Sequence, residues 1–399
     1  MSGGATSATP SPHIFLVAGE ESGERLGAAL VAALRRADSR VRIAGVGGSH
    51  MAQVGVPSLF PLGDLAIIGF AAIALNLPKI LKRIAQTADA VIAANPDVLV
   101  IIDSPEFTHR VARRVRARAP HIAIVDYVCP SVWAWRPGRA RAMRTYVDRV
   151  LALLPFEPAA MRRLGGPPTD FVGHQLGERV TDLRPNAEEA RRRLSDPPLL
   201  LVLPGSRSGE IRRMAQAFGD TVARVADRFG ALDVIVPAVP RLAGAVREAV
   251  ARWRVPVRVV IDAEEKYAAF RRARAALTKS GTSTLELALA GVPMVAAYKV
   301  SLLEELVGRL LIDVPSYILA NLVVGDNVVP QFLQHQCTPE ALAAALLPLL
   351  AETPERRRQV AAFERLDRIM AIGGTSPSDR AAALVLRCSR GHLTNPTVK

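Results

Sequence analysis

Aromatic residues make up only 5% of the 399-residue chain, cysteine occurs three times, and 37 acidic residues face 51 Lys and Arg. Each shortage removes a class of reading. Cys129, Cys337 and Cys388 are odd in number, far apart and never in a C-x-x-C pair, which argues against a disulfide framework or a structural zinc site and fits a reducing, cytoplasmic compartment. No D-x-D sequence occurs and no His, Cys and Asp residues fall at metal-ligand spacing, so neither a metal nor a cofactor is expected. The best membrane candidate, the uncharged run at residues 65–78 between Asp64 and Lys79, is short of the roughly 20 residues that cross a bilayer, although it could lie on one. Residues 1–12 have neither a basic nor an apolar region and read as a flexible leader rather than a signal peptide.

What is present is globular: half of the residues are hydrophobic, 22% are charged, and the formal net charge is +14. Length alone suggests two or three domains. The positive charge is uneven, with ten Arg against Asp126 and Asp148 between Arg110 and Arg149. Such a patch favours anionic partners, whether nucleic acid, a lipid headgroup or a nucleotide-linked substrate, while an arginine-rich surface with no partner fits the same count.

Short apolar runs alternate with amphipathic stretches along the chain. His13 to Ala18, Val41 to Val46, Val98 to Ile102, Ile122 to Val125 and Arg149 to Leu154 read as strands with helices between them. Unbroken apolar strands are those buried on both faces of a parallel sheet. The pattern loosens near residues 172–197 and restarts at Leu199 to Leu203, followed by Val234 to Val236, Val257 to Ile261, Ala275 to Leu277 and Met294 to Ala297. The expected fold is therefore α/β, with two Rossmann-like doubly wound domains facing a cleft and C-terminal helices packing back. The expected boundaries are 13–172, 173–352 and a helical segment and tail at 353–399.

Four loops at strand ends carry chemistry. Gly19-Glu20-Glu21-Ser22-Gly23 follows the first strand and opens a helix; Glu20 is placed either to bind a substrate hydroxyl or to complement the helix dipole. Asp103, at the tip of the Val98 strand, offers a general base, and a turn-capping role suits the same position. Pro204-Gly205-Ser206-Arg207 joins a glycine that admits close approach to a guanidinium that fits phosphate. Ser280-Gly281-Thr282 begins a helix, with Glu286 one turn inside, where a carboxylate can chelate two ribose hydroxyls; a capping box explains the same residues. His174 falls where the domains should meet, and a structural hydrogen-bonding role fits it equally. In Pro130 to Arg136, two of the three Trp residues stand beside the arginines, where they could stack bases, line a lipid or sugar pocket, or simply pack.

Taken in order, Ala18-Gly19-Glu20-x-Ser22-Gly23, Gly45-Val46-Gly47-Gly48 with Met51, Ser131-Val132-Trp133-Ala134-Trp135-Arg136, Leu154-Pro155-Phe156-Glu157, Phe171-Val172-Gly173-His174, Leu203-Pro204-Gly205-Ser206-Arg207 and Ser280-Gly281-Thr282-x-x-Leu285-Glu286 resemble lipid-A-disaccharide synthase from about residue 13 to 350. The resemblance implies an inverting, metal-independent glycosyltransferase of the two-Rossmann, GT-B kind in the lipid A branch of Gram-negative outer-membrane biogenesis. It joins UDP-2,3-diacylglucosamine to 2,3-diacylglucosamine 1-phosphate, making a β-1′,6 disaccharide and UDP.

By the same resemblance Asp103 takes the proton of the acceptor's 6-hydroxyl, Glu20 helps orient the sugar, and Ser22 is a further active-site candidate. Gly205, Ser206, Arg207, Ser280, Gly281, Thr282 and Glu286 hold UDP, and Asn321, Gln334 and His174 are further active-site candidates. Ile67, Ile68, Phe70, Ile73, Leu75 and Leu77 would face the inner leaflet of the inner membrane, making the protein cytoplasmic and peripherally associated, with a homodimer as a further implication. A buried hydrophobic helix explains the same apolar stretch. The chain departs from the family pattern at Glu106 and Thr108, where Asp and Asn are common, at Asp326, where many members have Arg, and in the wording of Pro315 to Ala320. Two rivals remain: a UDP-sugar 2-epimerase of the same fold, and an Arg-driven nucleic-acid-binding protein.

Overall fold

The computed structural model describes residues 11–65, 70–301, 305, 314–371 and 373–391, with the backbone alone at 70–76. They divide into two compact units, residues 1–175 with 372–399 and residues 176–371.

The first unit holds a six-stranded sheet in the order β2-β1-β3-β4-β5-β6. Its strands are β1 His13–Ala18, β2 Arg42–Val46, β3 Val98–Ile102, β4 Ala123–Tyr127, β5 Arg149–Ala152 and β6 Thr169–Phe171. Every described pairing is parallel. Alternation splits each strand between two cores, as period-two side chains must. Ile14, Leu16, Val98, Val100 and Ile102 pack on the helix Glu21–Ala37, while Phe15, Val17, Leu99 and Ile101 pack towards the helices Phe70–Ala94 and Pro105–Arg118. Both faces being covered is what makes these strands read as unbroken apolar runs.

The second unit repeats the plan in the order β12-β11-β10-β7-β8-β9. Its strands are β7 Leu199–Leu203, β8 Asp233–Pro237, β9 Arg258–Val260, β10 Ala275–Lys279, β11 Met294–Tyr298 and β12 Gln331–Leu333. Leu200, Val202, Val234, Val236, Leu277 and Val295 form one core with the helices Ser208–Phe229 and Pro339–Leu346. The expected α/β fold of two parallel doubly wound sheets is present. The expected strands recur with no end displaced by more than two residues, whereas β6 and β12 were not anticipated. Each has only three residues, all half-buried, at a sheet edge, and so lacks an apolar run.

The final described helix, Pro377–Ser389, starts on Ser376, whose side chain accepts a hydrogen bond from Asp379 N. It packs against Glu21–Ala37 in the first unit, burying Ala381, Ala382, Val385 and Leu386 in that core, with Arg36 paired to Asp379 at 2.7 Å. Val385→Asp would place an unpaired carboxyl in this core. We expect it to lower the stability of the first unit by on the order of 3 kcal/mol or more in urea unfolding. An unchanged transition midpoint would show that the helix is not part of the core.

Candidate functional site

In the first unit the strand order reverses at β1, which pairs with β2 on one side and β3 on the other. Loops leaving neighbouring strands at such a point diverge to opposite faces and open a crevice at the carboxyl ends. Ala18 pairs with Ile102, so β1 and β3 end level and the Gly19 loop meets the Asp103 loop. A Cβ on Gly19 would lie 2.6 Å from Ser104 Cβ, and one on Gly23 would lie 3.0 Å from Ile102 O. Glycine is required for space at 19, and at 23 a side chain would press on the Ile102 carbonyl.

Asp103 and Ser104 both take left-handed backbone conformations, φ 55° and 46°, which cost a non-glycine residue on the order of 1 kcal/mol or more each and cluster at functional sites. Short hydrogen bonds over-determine the geometry. Ser22 Oγ donates to Asp103 Oδ2 at 2.8 Å, Ser104 N donates to Asp103 Oδ1 at 2.8 Å, and Thr108 Oγ donates to Asp103 O at 2.7 Å. The carboxylate is thus held at the strand tip with Glu20 exposed beside it as the helix N-cap.

Behind this loop lie buried groups that sequence reasoning did not single out. Asp126, on β4, is buried, and burial pushes its carboxyl up from the ordinary range while the nearby His109 pulls the other way. His109 Nε2 approaches Asp126 Oδ2 at 3.1 Å, off hydrogen-bond geometry, and its Nδ1 lies 3.0 Å from Tyr146 Oη. The Trp-rich and Leu-Pro-Phe-Glu strings meet at Glu157. Its carboxylate accepts from Trp133 Nε1 at 3.2 Å and from Leu154 N at 2.9 Å. Burial pushes Glu157 up to about 7, against those hydrogen bonds.

In the second unit the order reverses at β7, between β8 and β10, which makes neighbours of the turns after Leu203 and Lys279. Gly205 has φ 138°, and a Cβ there would lie 2.5 Å from Glu210 Cβ, so the turn closes over the Glu210 side chain only because the residue is glycine. Glu210, 2% exposed, accepts from Ser206 N at 2.9 Å and from Lys279 Nζ at 3.0 Å. Burial alone would raise its carboxyl; Lys279, Ser206 N and Arg207 hold it below the usual range.

The helix Ser208–Phe229 begins at Arg207 and the helix Thr282–Leu289 at Gly281, neither with a side-chain cap. Two helix N-termini without side-chain caps and an exposed guanidinium on Arg207 are features that attract an anion, by backbone dipole and by charge. Thr282 is exposed at this end, whereas Ser280 Oγ is spent on Tyr317 O at 2.6 Å. Glu286 receives Lys266 Nζ at 3.0 Å on both oxygens.

The other expected residues are placed differently. Asn321, on the helix Leu319–Val324, is buried and uses its amide on Ser316 Oγ and Val329 O and its carbonyl on Val329 N, at 2.9 to 3.2 Å; it pins the segments on either side of that helix. Gln334, with φ 53°, accepts from Val300 N at 2.7 Å and donates to Glu305 at 2.5 Å. His174 is lowered to about 4 by burial. Ile67 and Ile68 lie outside the described residues, as do the side chains of Phe70, Ile73 and Leu75, while Leu77 is exposed on the helix Phe70–Ala94. Of the departures, Thr108 ties the helix start to the Asp103 loop, Glu106 pairs with Arg110 and Arg139, and Asp326 pairs with Arg358 at 3.2 Å. Lys279 and Lys266 were not anticipated. A lone Lys at a strand end, just before Ser280-Gly281, was the available signal for the first.

Among the described residues no three His, Cys, Asp or Glu side chains are grouped as they would be around a metal ion, and no helix is long and apolar enough to cross a membrane. A family model described as "Lipid-A-disaccharide synthetase" matches residues 14–381. The chain is 59% identical to the lipid-A-disaccharide synthase of Nitrobacter hamburgensis, over 97% of this chain and 98% of that protein. It is 56% identical to that of Rhodopseudomonas palustris strain CGA009, over 98% and 100%. Among solved structures it resembles UDP-GlcNAc 2-epimerase from Neisseria meningitidis bound to UDP-GlcNAc, with TM-score 0.60, 12% identity and coverage of 94% and 100%. It also resembles the calicheamicin glycosyltransferase CalG4, with TM-score 0.59, 17% identity and coverage of 97% and 100%. At these identities the two structures show the fold alone.

The position of Glu157 yields a stability test. Its folded value of about 7 lies above the ordinary 4.5, so the folded protein binds the proton more tightly, and this group's contribution to stability is fully present below pH 4.5 and is lost as pH rises through 7. The shift corresponds to roughly 3 kcal/mol. Across pH 5 to 8 the melting temperature of Glu157→Gln should fall less than that of the parent. Parallel profiles would place the carboxylate in a solvated site.

Proposed function

The chain belongs to the lipid-A-disaccharide synthase family, and from that membership we propose how its two units divide the reaction. It is a hexosyltransferase of lipid A biosynthesis with GT-B architecture, and its substrates are a UDP-sugar and a lipid-linked sugar phosphate. What carries this assignment is identity of more than half the residues along nearly the whole length of both chains. Neither the epimerase nor the nucleic-acid reading is favoured.

In the proposed reaction the first unit supplies the base and the second receives the leaving group. Asp103, fixed by Ser22 and its own left-handed turn, takes the proton from the 6-hydroxyl of 2,3-diacylglucosamine 1-phosphate as that oxygen bonds to the anomeric carbon of UDP-2,3-diacylglucosamine. The anomeric carbon–oxygen bond to the diphosphate breaks in the same displacement, its electron pair leaves with UDP, and the configuration inverts. The charge developing on UDP is met by Arg207, Ser206 and the N–H groups at the starts of the Ser208 and Thr282 helices, with the ribose against Glu286 beside Lys266. Gly205 and Gly281 let the nucleotide approach the backbone, and Glu20 orients the acceptor. The active-site assignments of Asn321, Gln334 and His174 rest on the family resemblance.

Exposed Leu77 and Leu81, four residues apart on one face of the helix Phe70–Ala94, support peripheral contact of this end with the inner leaflet, where apolar side chains enter the interface.

UDP release from the donor in detergent with EDTA present should require the acceptor sugar phosphate. Asp103→Asn should lower kcat about a hundred- to ten-thousandfold while UDP still binds, and Arg207→Gln should lower it by about a hundredfold or more. An Asp103→Asn enzyme at the parental rate would remove the base from this mechanism, and loss of activity in EDTA would assign the leaving group to a metal.

A further inference from the structure

Four arginines of the Arg-rich stretch close on one cavity in the first unit, of about 250 Å³. One wall is the face of the helix Pro105–Arg118 that carries Glu106, His109, Arg110 and Arg113, spaced as helix neighbours are. The other is Arg136, from the turn that ends the Trp-rich string, and Arg139, at the start of the helix Gly138–Met143.

The cations are held, not loose. Arg136 takes a left-handed backbone, φ 52°, and lies 4.6 Å over the Trp135 ring, with Arg139 5.9 Å from the same ring. Arg113 lies 4.7 Å over Tyr146 and donates to its hydroxyl at 3.3 Å, and that hydroxyl rests on buried His109 at 3.0 Å. The one acidic side chain in the lining, Glu106, is 63% exposed and reaches Arg139 at 3.2 Å and Arg110 at 3.5 Å. Arg113 and Arg136 form no ion pair among the described residues. Four guanidinium groups therefore share one carboxylate, and aromatic rings orient three of them, Arg113, Arg136 and Arg139, while leaving N–H forks to offer, the arrangement suited to a phosphate dianion.

We infer that this cavity is the subsite for the phosphate monoester of the acceptor sugar. The cavity begins at Pro105 and Glu106, two residues beyond the Asp103 that would receive the acceptor's proton. A molecule whose hydroxyl meets Asp103 thus carries its anion across one sugar ring into the arginines. The inference rests on the transferase reading above and adds what selects the acceptor: a terminal phosphate dianion, read by Arg113, Arg136 and Arg139. Glu106 then serves as the counter-ion that the phosphate displaces.

The test compares kcat/KM for 2,3-diacylglucosamine 1-phosphate with that for the same sugar lacking phosphate. In Arg113→Gln and in Arg136→Gln this preference should fall roughly ten- to a hundredfold, the worth of a charge-assisted hydrogen bond; UDP binding reports that each variant folds. A preference kept at the parental value in both variants overturns the subsite.

Titration of the full-length protein with glucosamine 1-phosphate, followed by NMR, reads the cavity without catalysis. Weaker binding in both variants supports the subsite even if the parent transfers to neither sugar, an outcome that would sink the transferase reading alone. Equal binding by parent and variants overturns it. So does displacement by phosphatidylglycerol vesicles of a cavity indifferent to glucosamine 1-phosphate, which would make the arginines a membrane contact. Inorganic phosphate binding as tightly as the sugar phosphate would reduce the cavity to an anion hole without a sugar and overturn it too.

Discussion

Strands buried on both faces leave a parallel sheet only one place to put its chemistry. The inner strands of both units are apolar along most of their length, so carboxylates, hydroxyls and ammonium groups emerge where the strands end, and the crossovers set those ends apart just where the strand order reverses. In the first unit that point is β1 against β3, and in the second β7 against β10. Glu20 and Asp103 occupy one, Arg207 and Thr282 the other. Their placement follows from two short-range facts, parallel pairing and level registers.

The same constraint explains the glycines. Crowding two loops and a helix start into one strand end leaves no room for some Cβ atoms, and each such glycine sits against a particular side chain. Gly19 accommodates Ser104, Gly205 accommodates Glu210, and a Cβ at Gly48 would lie 2.1 Å from Glu24 Oε2. What differs is the fate of the carboxylate. Asp103 is offered at the strand tip, held by hydroxyl and amide donors that carry no charge. Glu210 is sunk beneath its turn and matched by Lys279. In the proposed reaction the first arrangement keeps an acceptor for a proton, and the second removes negative charge from the surface assigned to the diphosphate.

Much of this was legible in the sequence because it is local. Apolar runs gave the inner strands, and a glycine next to a polar residue marked the loops. What was not legible depends on partners far along the chain. Lys266 meets Glu286 and Lys279 meets Glu210 only after the sheet has formed, and Asn321 finds Val329 across a turn with no pattern of its own. The polar stretch after Val172, which reads as a linker, contains the helix Ala187–Leu194. Its capping box, Asn186 with Glu189, is a local signal, but the helix buries no residue and so has no apolar stripe to mark it.

Charge shows the limit of counting most clearly. Ten arginines against two aspartates between Arg110 and Arg149 suggest one basic surface, yet the fold sorts these arginines by what surrounds them. Arg116 pairs with Asp148, Arg118 with Asp89 and Arg149 with Asp170, two of those partners lying outside the stretch. These pairs brace neighbouring strands and helices and add little field at a distance, since a paired surface charge is largely screened. The four that face one cavity are different in kind. They converge on one cavity, three of them lie over aromatic rings that set their direction, and they have one exposed carboxylate among them. A net charge describes how strongly a chain attracts anions; only the arrangement of guanidinium groups determines whether it recognises one.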